Sequence, residues 1–202
     1  MGLAKKIRGL SRAIRILRYQ VDTHRMSHMA ESEKRDYLAR WAERTGIRTF
    51  VETGTYLGKT AQFMATRVDR CHTIELSQSL YEAAKSSLAR HQNVSIHCGN
   101  SAEMLPTILK EIDQPALFWL DAHYSAGKTA GSKAYNPIET ELRAIFDHPV
   151  KDHLVLIDDA REFIGMNGYP TIRQMKNLVS RYGDGYTMII NNDIIVIHRA
   201  DI

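Results

Sequence analysis

The sequence has few cysteines and no long apolar run, the features that mark disulfide-rich and membrane-spanning proteins. No apolar run approaches the roughly 20 residues needed to cross a bilayer, and the charged N-terminus lacks the apolar stretch of a secretory signal. The two cysteines, Cys71 and Cys98, fall in strand-like runs. We place them at opposite ends of neighbouring parallel strands, too far apart for a disulfide. We therefore expect a cytoplasmic protein with reduced thiols.

Excess basic charge is confined to one end of the chain. Residues 1–25 contain seven Lys and Arg and one acid, a net charge of +6, whereas the whole chain carries +4, which leaves −2 for the remainder. The sequence pI of about 9.1 therefore describes this segment and not the rest of the protein. A nucleic-acid-coating surface is not supported, because such surfaces are basic over a broad face.

Residues 1–30 are predicted to form a basic N-terminal extension and residues 31–202 a single domain. In the extension, apolar residues recur at steps of four and three, typical of an amphipathic helix from Gly2 to about Thr23. We favour docking of this helix on its own domain or on a second copy, as a homodimer. Contact with an anionic membrane surface, which would make the protein peripheral, and nucleic-acid contact are the alternatives.

Beyond a predicted helix at 31–44, the apolar period switches repeatedly between that of strands and that of helices. Strands are predicted at 48–53, 71–75, 94–98, 116–121 and 153–158, and helices at 58–68, 77–90, 102–111, 137–147 and 172–182. Two β-rich runs around Asn191-Asn192-Asp193 predict a terminal hairpin. The pattern predicts an α/β fold with a Rossmann-like, seven-stranded, mostly parallel sheet, an antiparallel C-terminal hairpin, helices on both faces and an N-terminal helical extension.

The first strand-to-helix turn, 52–60, carries two glycines. Gly54 permits a tight turn and a close approach of backbone to ligand, and Gly58 opens the next helix. The spacing is not GxGxxG, and Gly58-Lys59-Thr60 misses the phosphate-binding GxxxxGK[ST] pattern by one position. Glycines at such turns are as often structural, so this turn alone is a weak signal.

Polar residues also follow the second and third strands. Glu75 lies about 20 residues past the glycines, where a carboxylate accepts both hydroxyls of a ribose, or where an acid simply caps the next helix. Asn100 and Ser101 follow the third strand and suit either an adenine edge or a helix cap.

These motifs, in this order, resemble the class I S-adenosylmethionine-dependent methyltransferases. The likeness spans residues 46–200 and includes the strand end Phe118-Trp119-Leu120-Asp121. It implies S-adenosylmethionine as cofactor, with its methionine part on the glycine turn, its ribose on Glu75 and its adenine near Asn100. The cofactor-binding residues that it implies are Glu52, Thr53, Gly54, Thr55, Tyr56, Gly58, Thr60, Glu75, Asn100, Ser101 and Asp121. Many relatives carry Asp where this chain has Asn100.

Three carboxylates are predicted at one edge of the sheet. Asp121 ends the fourth strand, and Asp158 and Asp159 end the fifth. Clustered carboxylates repel and need a balancing charge, which a hard divalent cation supplies well. The arrangement resembles the metal-dependent O-methyltransferases, including those that act on sugar hydroxyls, and implies Mg²⁺ bound by these three residues. The alternative is metal-free transfer, with Asp159 paired to Arg161.

The same region contains the candidate catalytic residues. His123 lies two residues past Asp121 and suits the general base that takes a hydroxyl proton, with Asp121 beside it, and Tyr124 is the alternative base. Candidate substrate residues are Tyr124, Lys128, Arg161 and Tyr169. The predicted reaction is O-methylation of a small molecule or glycan. The rival functions are an NAD(P)-dependent oxidoreductase of the Rossmann type and a non-catalytic binding protein with this fold.

Overall fold

The computed structural model describes residues 29–121, 136–183 and 185–199. The predicted N-terminal helix at 2–23 lies outside the described residues, and so does the segment 122–135. The proposed division of the chain at residue 30 therefore stays a prediction. Within the described ranges, no helix has the length and apolar character that a membrane crossing requires.

Helices and strands alternate along the described chain, as the apolar period predicts. The helices are α1 (Glu31–Thr45), α2 (Lys59–Ala65), α3 (Gln78–Leu88), α4 (Ser101–Leu109), α5 (Ile138–Asp147) and α6 (Ile172–Ser180), with a short 3₁₀ helix at Ala160–Glu162. The strands are β1 (Thr49–Thr53), β2 (Arg70–Glu75), β3 (Val94–Cys98), β4 (Ala116–Leu120), β5 (Leu154–Ile157), β6 (Tyr186–Asn191) and β7 (Ile194–Arg199). The predicted elements are confirmed, with differences of a few residues at their ends.

The strands form one seven-stranded sheet in the order β3-β2-β1-β4-β5-β7-β6. The first five are parallel neighbours, whereas β7 runs antiparallel to both β5 and β6. Strand order reverses between β1 and β4, and in open parallel sheets ligands bind outside the carboxyl ends of strands at such a point. The topology thus selects one edge of the sheet as the place for a site.

Alternate residues of the central strands fill two separate cores. On β4, Phe118 and Leu120 join the core under α4, α5 and α6, while Leu117 and Trp119 join the core under α1, α2 and α3. Because both faces are covered, β1, β4 and β5 are buried along their whole length. β4 and β5 have continuous apolar sequences, whereas β1 also buries two threonines and Glu52. Helices on both faces of the sheet are therefore confirmed.

Helix α1 packs on the sheet through the side chains that its apolar period predicts. Leu38, Trp41 and Ala42 are buried in the second core, and Tyr37 packs against it while partly exposed. Lys34, one turn before Leu38, is also buried. Its burial was not predicted, because a lysine on an amphipathic helix usually faces water.

The two cysteines lie as predicted. Cys71 is at the start of β2, opposite Val94, whereas Cys98 ends the neighbouring strand β3, opposite Glu75. Both are free thiols, and burial raises the pKa of Cys71.

Candidate active site

A cavity of about 540 Å³ opens at the carboxyl ends of β1, β2, β3 and β4. This volume lies within the range of small-molecule sites. Its lining combines the turns after these strands with the first turn of α1. The lining residues are Glu31, Arg35, Glu52, Gly54, Thr55, Tyr56, Leu57, Lys59, Thr60, Ile74, Glu75, Leu76, Leu80, Gly99, Asn100, Ser101, Asp121 and Pro137.

Most of the predicted cofactor-binding residues meet at this cavity. Glu52, Gly54, Thr55, Tyr56, Thr60, Glu75, Asn100, Ser101 and Asp121 all line it. Thr53 and Gly58 do not. Thr53 is fully buried at the end of β1, and Gly58 faces the interior, where an added Cβ would lie 3.2 Å from Leu88 Cδ1. With its φ of 72°, Gly58 is required for starting and packing α2.

The glycine turn is shaped by backbone that β1 and β2 hold in place. Gly54 has a φ of 91°, a conformation that favours glycine. Its N–H and that of Thr55 both donate to the carbonyl oxygen of Ile74, at 2.9 and 3.1 Å. Tyr56 follows with a φ of 48°, and its side chain is 64% exposed. The turn therefore presents backbone at Gly54 and an exposed aromatic ring at Tyr56 to the cavity.

A chain of buried side chains supports the turn from below. Thr73 Oγ1 donates to Glu52 Oε2 at 2.6 Å and therefore accepts from Thr55 Oγ1, also at 2.6 Å. Burial, opposed by the Thr73 hydrogen bond, raises the pKa of Glu52 to about 8. At neutral pH Glu52 is therefore mostly a neutral acid in this network.

Glu75 is held rigidly at the end of β2. Its Oε2 accepts the N–H of Tyr56 at 2.8 Å and its Oε1 accepts the N–H of Ser77 at 2.9 Å. Glu75 therefore fixes the residue that precedes α3 without capping the first turn of that helix. Ligand binding stays open to it, because each carboxylate oxygen keeps a further lone pair. A carboxylate fixed by two backbone donors is preorganised to accept hydroxyl groups from a ligand in the cavity.

Asn100 has its predicted capping role, while its adenine role stays a prediction. Its Oδ1 accepts the N–H of Ala102 at 3.0 Å and caps α4, while the residue also lines the cavity. The cap leaves the amide nitrogen as the group that faces a ligand.

Helix α1 also contributes to this cavity, which was not predicted from the sequence. Glu31 and Arg35, one turn apart, line it beside the glycine turn. Leu76 and Leu80 also line the cavity and were not predicted. The position of Leu76, directly after the strand-end acid Glu75, could have suggested it. Its side chain is 60% exposed.

The acid pair after β5 is balanced by basic side chains of the chain itself. Lys34 Nζ lies 2.6 Å from Asp158 Oδ2, and Asp158 Oδ1 accepts the N–H of Asp159 at 2.8 Å. Burial lowers the pKa of Lys34, but Asp158 and then Glu31 outweigh this effect, so its pKa is raised. Arg161 lies 2.8 Å from Asp159 Oδ1 and also contacts Asp193, as the metal-free alternative expects for Asp159.

The predicted Mg²⁺ site is therefore not supported. Within residues 29–121, 136–183 and 185–199, no three His, Cys, Asp or Glu side chains come together as a metal-binding group. Both oxygens of Asp158 and one of Asp159 already accept protein N–H donors. A carboxylate pair engaged in this way does not fit the ligand set of a resident Mg²⁺, which needs free oxygen donors in octahedral geometry.

A second, much smaller cavity lies on the other side of Asp121. Asp121 lines both cavities, and the small one is also lined by Asp158 and Tyr169. Burial, followed by the charges of Asp159 and Glu162, raises the pKa of Tyr169 to about 12. Asp121 thus stands between the large cavity and a pocket walled by one of the predicted substrate residues.

Three predicted residues lie outside the described part of the chain. These are the candidate base His123 and the candidate substrate residues Tyr124 and Lys128. Their roles stay predictions.

Solved structures with the same fold include several methyltransferases. The O-methyltransferase TomG from Streptomyces achromogenes, crystallised with S-adenosylmethionine, aligns with a TM-score of 0.64 at 17% identity, over 86% of this chain and 82% of TomG. An O-methyltransferase from Bacillus cereus, in complex with S-adenosylhomocysteine, aligns with a TM-score of 0.61 at 18% identity, over 92% of this chain and 89% of the other. This chain has the methyltransferase fold. The methyltransferase fold that the motifs predict is therefore confirmed.

The methyltransferase fold does not by itself name an acceptor. The 23S rRNA methyltransferase ErmE also aligns, with a TM-score of 0.51 at 16% identity, over 82% of this chain and 68% of ErmE. No family model matches the chain, and no curated protein matches it by sequence. The function therefore has to be argued from the site.

Proposed function

We propose that this chain is an S-adenosylmethionine-dependent methyltransferase that methylates a hydroxyl oxygen of a small molecule or glycan. The observation that carries the proposal is Glu75, whose carboxylate is fixed by the N–H groups of Tyr56 and Ser77 at the edge of a nucleoside-sized cavity. A strand-end acid in this position binds the hydroxyls of a ribose. Asn100 and the apolar Leu76 and Leu80 line the same cavity and suit an adenine ring.

The charged groups of the cavity favour a sulfonium nucleoside over a dinucleotide. Three acidic and two basic side chains are among its described lining residues: Glu31, Glu75, Asp121, Arg35 and Lys59. Glu52 also lines the cavity but is mostly protonated at neutral pH. S-adenosylmethionine carries two positive groups, the sulfonium and the ammonium, and one carboxylate. NAD(P) carries a pyrophosphate, which a predominantly acidic lining disfavours. The glycine spacing, which is not GxGxxG, argues in the same direction.

When bound, S-adenosylmethionine supplies a methyl group on a positively charged sulfur, which leaves as a neutral thioether. The work of the protein is to position the two reactants, which is worth several kcal/mol. In this proposal Gly54 offers backbone to the methionine part and Glu75 orients the ribose. Asp121 lines both cavities, and in this proposal it would border the methyl group and the acceptor.

The acceptor hydroxyl must lose its proton to a base. We assign this role to His123, which follows Asp121 by two residues and has an imidazole suited to proton transfer near neutral pH. Tyr169, which lines the small cavity, is a proposed acceptor-binding residue together with Tyr124 and Lys128. Arg161 is instead paired with Asp159 and Asp193 and lines neither of the two cavities. Changing His123 to Ala should abolish methyl transfer and leave binding of S-adenosylhomocysteine intact, an outcome that a non-catalytic binding protein would not give.

Calorimetric titration with S-adenosylhomocysteine and, separately, with NADH tests the cofactor. We expect saturable, one-to-one binding of S-adenosylhomocysteine at micromolar concentrations and no binding of NADH, because the lining is acidic. Binding of NADH with no heat from S-adenosylhomocysteine at millimolar concentration would overturn the proposal. A radiolabelled methyl donor offered with phenols, sugars and glycans then identifies the acceptor class by the labelled product.

Arg35 gives a more detailed test of how the cofactor lies. Arg35 lines the cavity from α1, next to Lys34, which pairs with Asp158 after β5. We propose that Arg35 contacts the carboxylate of the methionine part. We expect Arg35→Ala to weaken S-adenosylhomocysteine about 10-fold by removing a charged partner of its carboxylate. Methylthioadenosine, which has no carboxylate, should bind both proteins equally. Equal losses for the two ligands would show that Arg35 does not contact the amino acid part.

For the N-terminal extension we keep the proposal of docking on the domain or on a second copy, with the anionic membrane surface as the alternative. The proposed location is the cytoplasm. Deleting residues 1–22 and measuring oligomeric state and binding to anionic vesicles separates docking from membrane contact. If both measurements stay unchanged, both proposals are wrong.

A further inference from the structure

Acidic side chains from three parts of the chain lie near the end of β5, although no three of the described ones form a metal-binding group. Asp158 and Asp159 follow β5, Asp121 follows β4, and Asp193 lies between β6 and β7. Asp158 and Asp193 are buried, with side-chain exposures of 2% and 0%. Grouped and buried carboxylates need counter-charges close by, because neither water nor distance separates them.

One counter-charge comes from a helix far away in sequence. The Lys34 side chain is 6% exposed, and its Nζ lies 2.6 Å from Asp158 Oδ2 and 3.0 Å from Glu31 Oε1. A lysine on the solvent-exposed face of α1 would keep its ammonium group in water. Here the ammonium group is enclosed between two carboxylates, one on its own helix and one at the end of β5.

The second counter-charge is Arg161, on the 3₁₀ helix after β5. Its guanidinium group contacts Asp159 and Asp193, and its backbone N–H donates to Asp193 Oδ1 at 3.0 Å. Arg161 thus contacts three acids, Glu162 included, whereas among the described side chains Lys34 is the cationic group that contacts Asp158.

We propose that Lys34 is the resident cation of this acid group: its ammonium group takes the charge-balancing position that a divalent ion would need, and it ties helix α1 to the end of β5. This inference rests on the proposed function, because it concerns the residue that holds Glu31 and Arg35 over the cofactor cavity. Lys34 is a positioning residue, and it acts through Asp158 and through the placement of α1.

The test is direct binding of Mn²⁺, followed by electron paramagnetic resonance, to chelator-treated full-length protein. The wild-type protein should bind Mn²⁺ only above millimolar concentration. Lys34→Met keeps the length of the side chain and removes its charge, so it should tighten Mn²⁺ binding at least 10-fold. Lys34→Arg keeps the charge and should behave as the wild type does, and adding Asp158→Asn to Lys34→Met should abolish the gain.

Submillimolar, stoichiometric Mn²⁺ binding by the wild-type protein that Asp158→Asn removes would overturn the inference, even if Lys34→Met failed to fold. Unchanged, weak Mn²⁺ binding by a folded Lys34→Met, with folding checked by circular dichroism, would do so as well. Neither result depends on a methyltransferase activity. Binding of S-adenosylhomocysteine to the wild-type protein is measured in parallel, so failure of this inference and failure of the proposed function are told apart.

Discussion

Changing Glu75 to Ala should weaken binding of S-adenosylhomocysteine by about 100-fold to 1000-fold. The carboxylate is proposed to accept hydrogen bonds from both ribose hydroxyls, and a hydrogen bond to a charged group contributes about 1.5–3 kcal/mol. The change also releases the N–H groups of Tyr56 and Ser77, so the glycine turn loses one of its anchors. Calorimetry or competition against a fluorescent nucleoside measures the loss.

Two further variants sharpen this result. Glu82→Ala removes an exposed acid from the following helix and should leave the affinity unchanged. Glu75→Gln keeps one carbonyl oxygen but turns an amide NH₂ toward a backbone donor. Its affinity for S-adenosylhomocysteine should therefore be close to that of the alanine variant. An affinity within threefold of wild type for Glu75→Ala would mean that no ribose is held at this strand end, and the proposed cofactor would lose its main support.

Glu141→Gln should stabilise the protein at pH 8 by up to about 3 kcal/mol and leave its stability at pH 5 nearly unchanged. Glu141 is buried in α5, and burial raises its pKa from 4.5 to about 7, with the Ser101 and Thr53 hydroxyls acting in the opposite direction. Between pH 4.5 and 7 the folded protein keeps a proton that the unfolded chain releases. Stability is therefore present at low pH and lost as the pH rises, and glutamine removes this loss because it mimics the protonated acid.

Urea unfolding of the unliganded protein at several pH values between 5 and 8 measures this effect. The quantity to follow is the difference in unfolding free energy between variant and wild type, since other groups titrate equally in both. Glu139→Gln, on the exposed side of the same helix, is the matched control and should show no such trend. Parallel curves for Glu141→Gln and wild type would mean that Glu141 is ionised in the folded protein.

The predictions that succeeded depend on regularities within short stretches of chain. The apolar period identified the strands and helices, because burial on both faces favours continuous apolar runs such as those of β4 and β5. Parallel strands present their carboxyl ends at the same edge, so Gly54, Glu75, Asn100 and Asp121 were expected together, and they meet at one cavity. Gly58 opens α2 as predicted. Its close packing could not be predicted, since it depends on how closely Leu88 approaches.

The α/β alternation, the edge of the sheet that carries the site and the strand-end residues that line it were all predictable, because each follows from patterns over a few residues. The partner of Asp158, in contrast, depends on how distant parts of the chain pack together. Lys34 and Asp158 are 124 positions apart and approach to 2.6 Å because α1 packs across the sheet through Leu38 and Trp41. Such a pairing has no local signature, because the charge that a buried carboxylate meets depends on which distant element covers it.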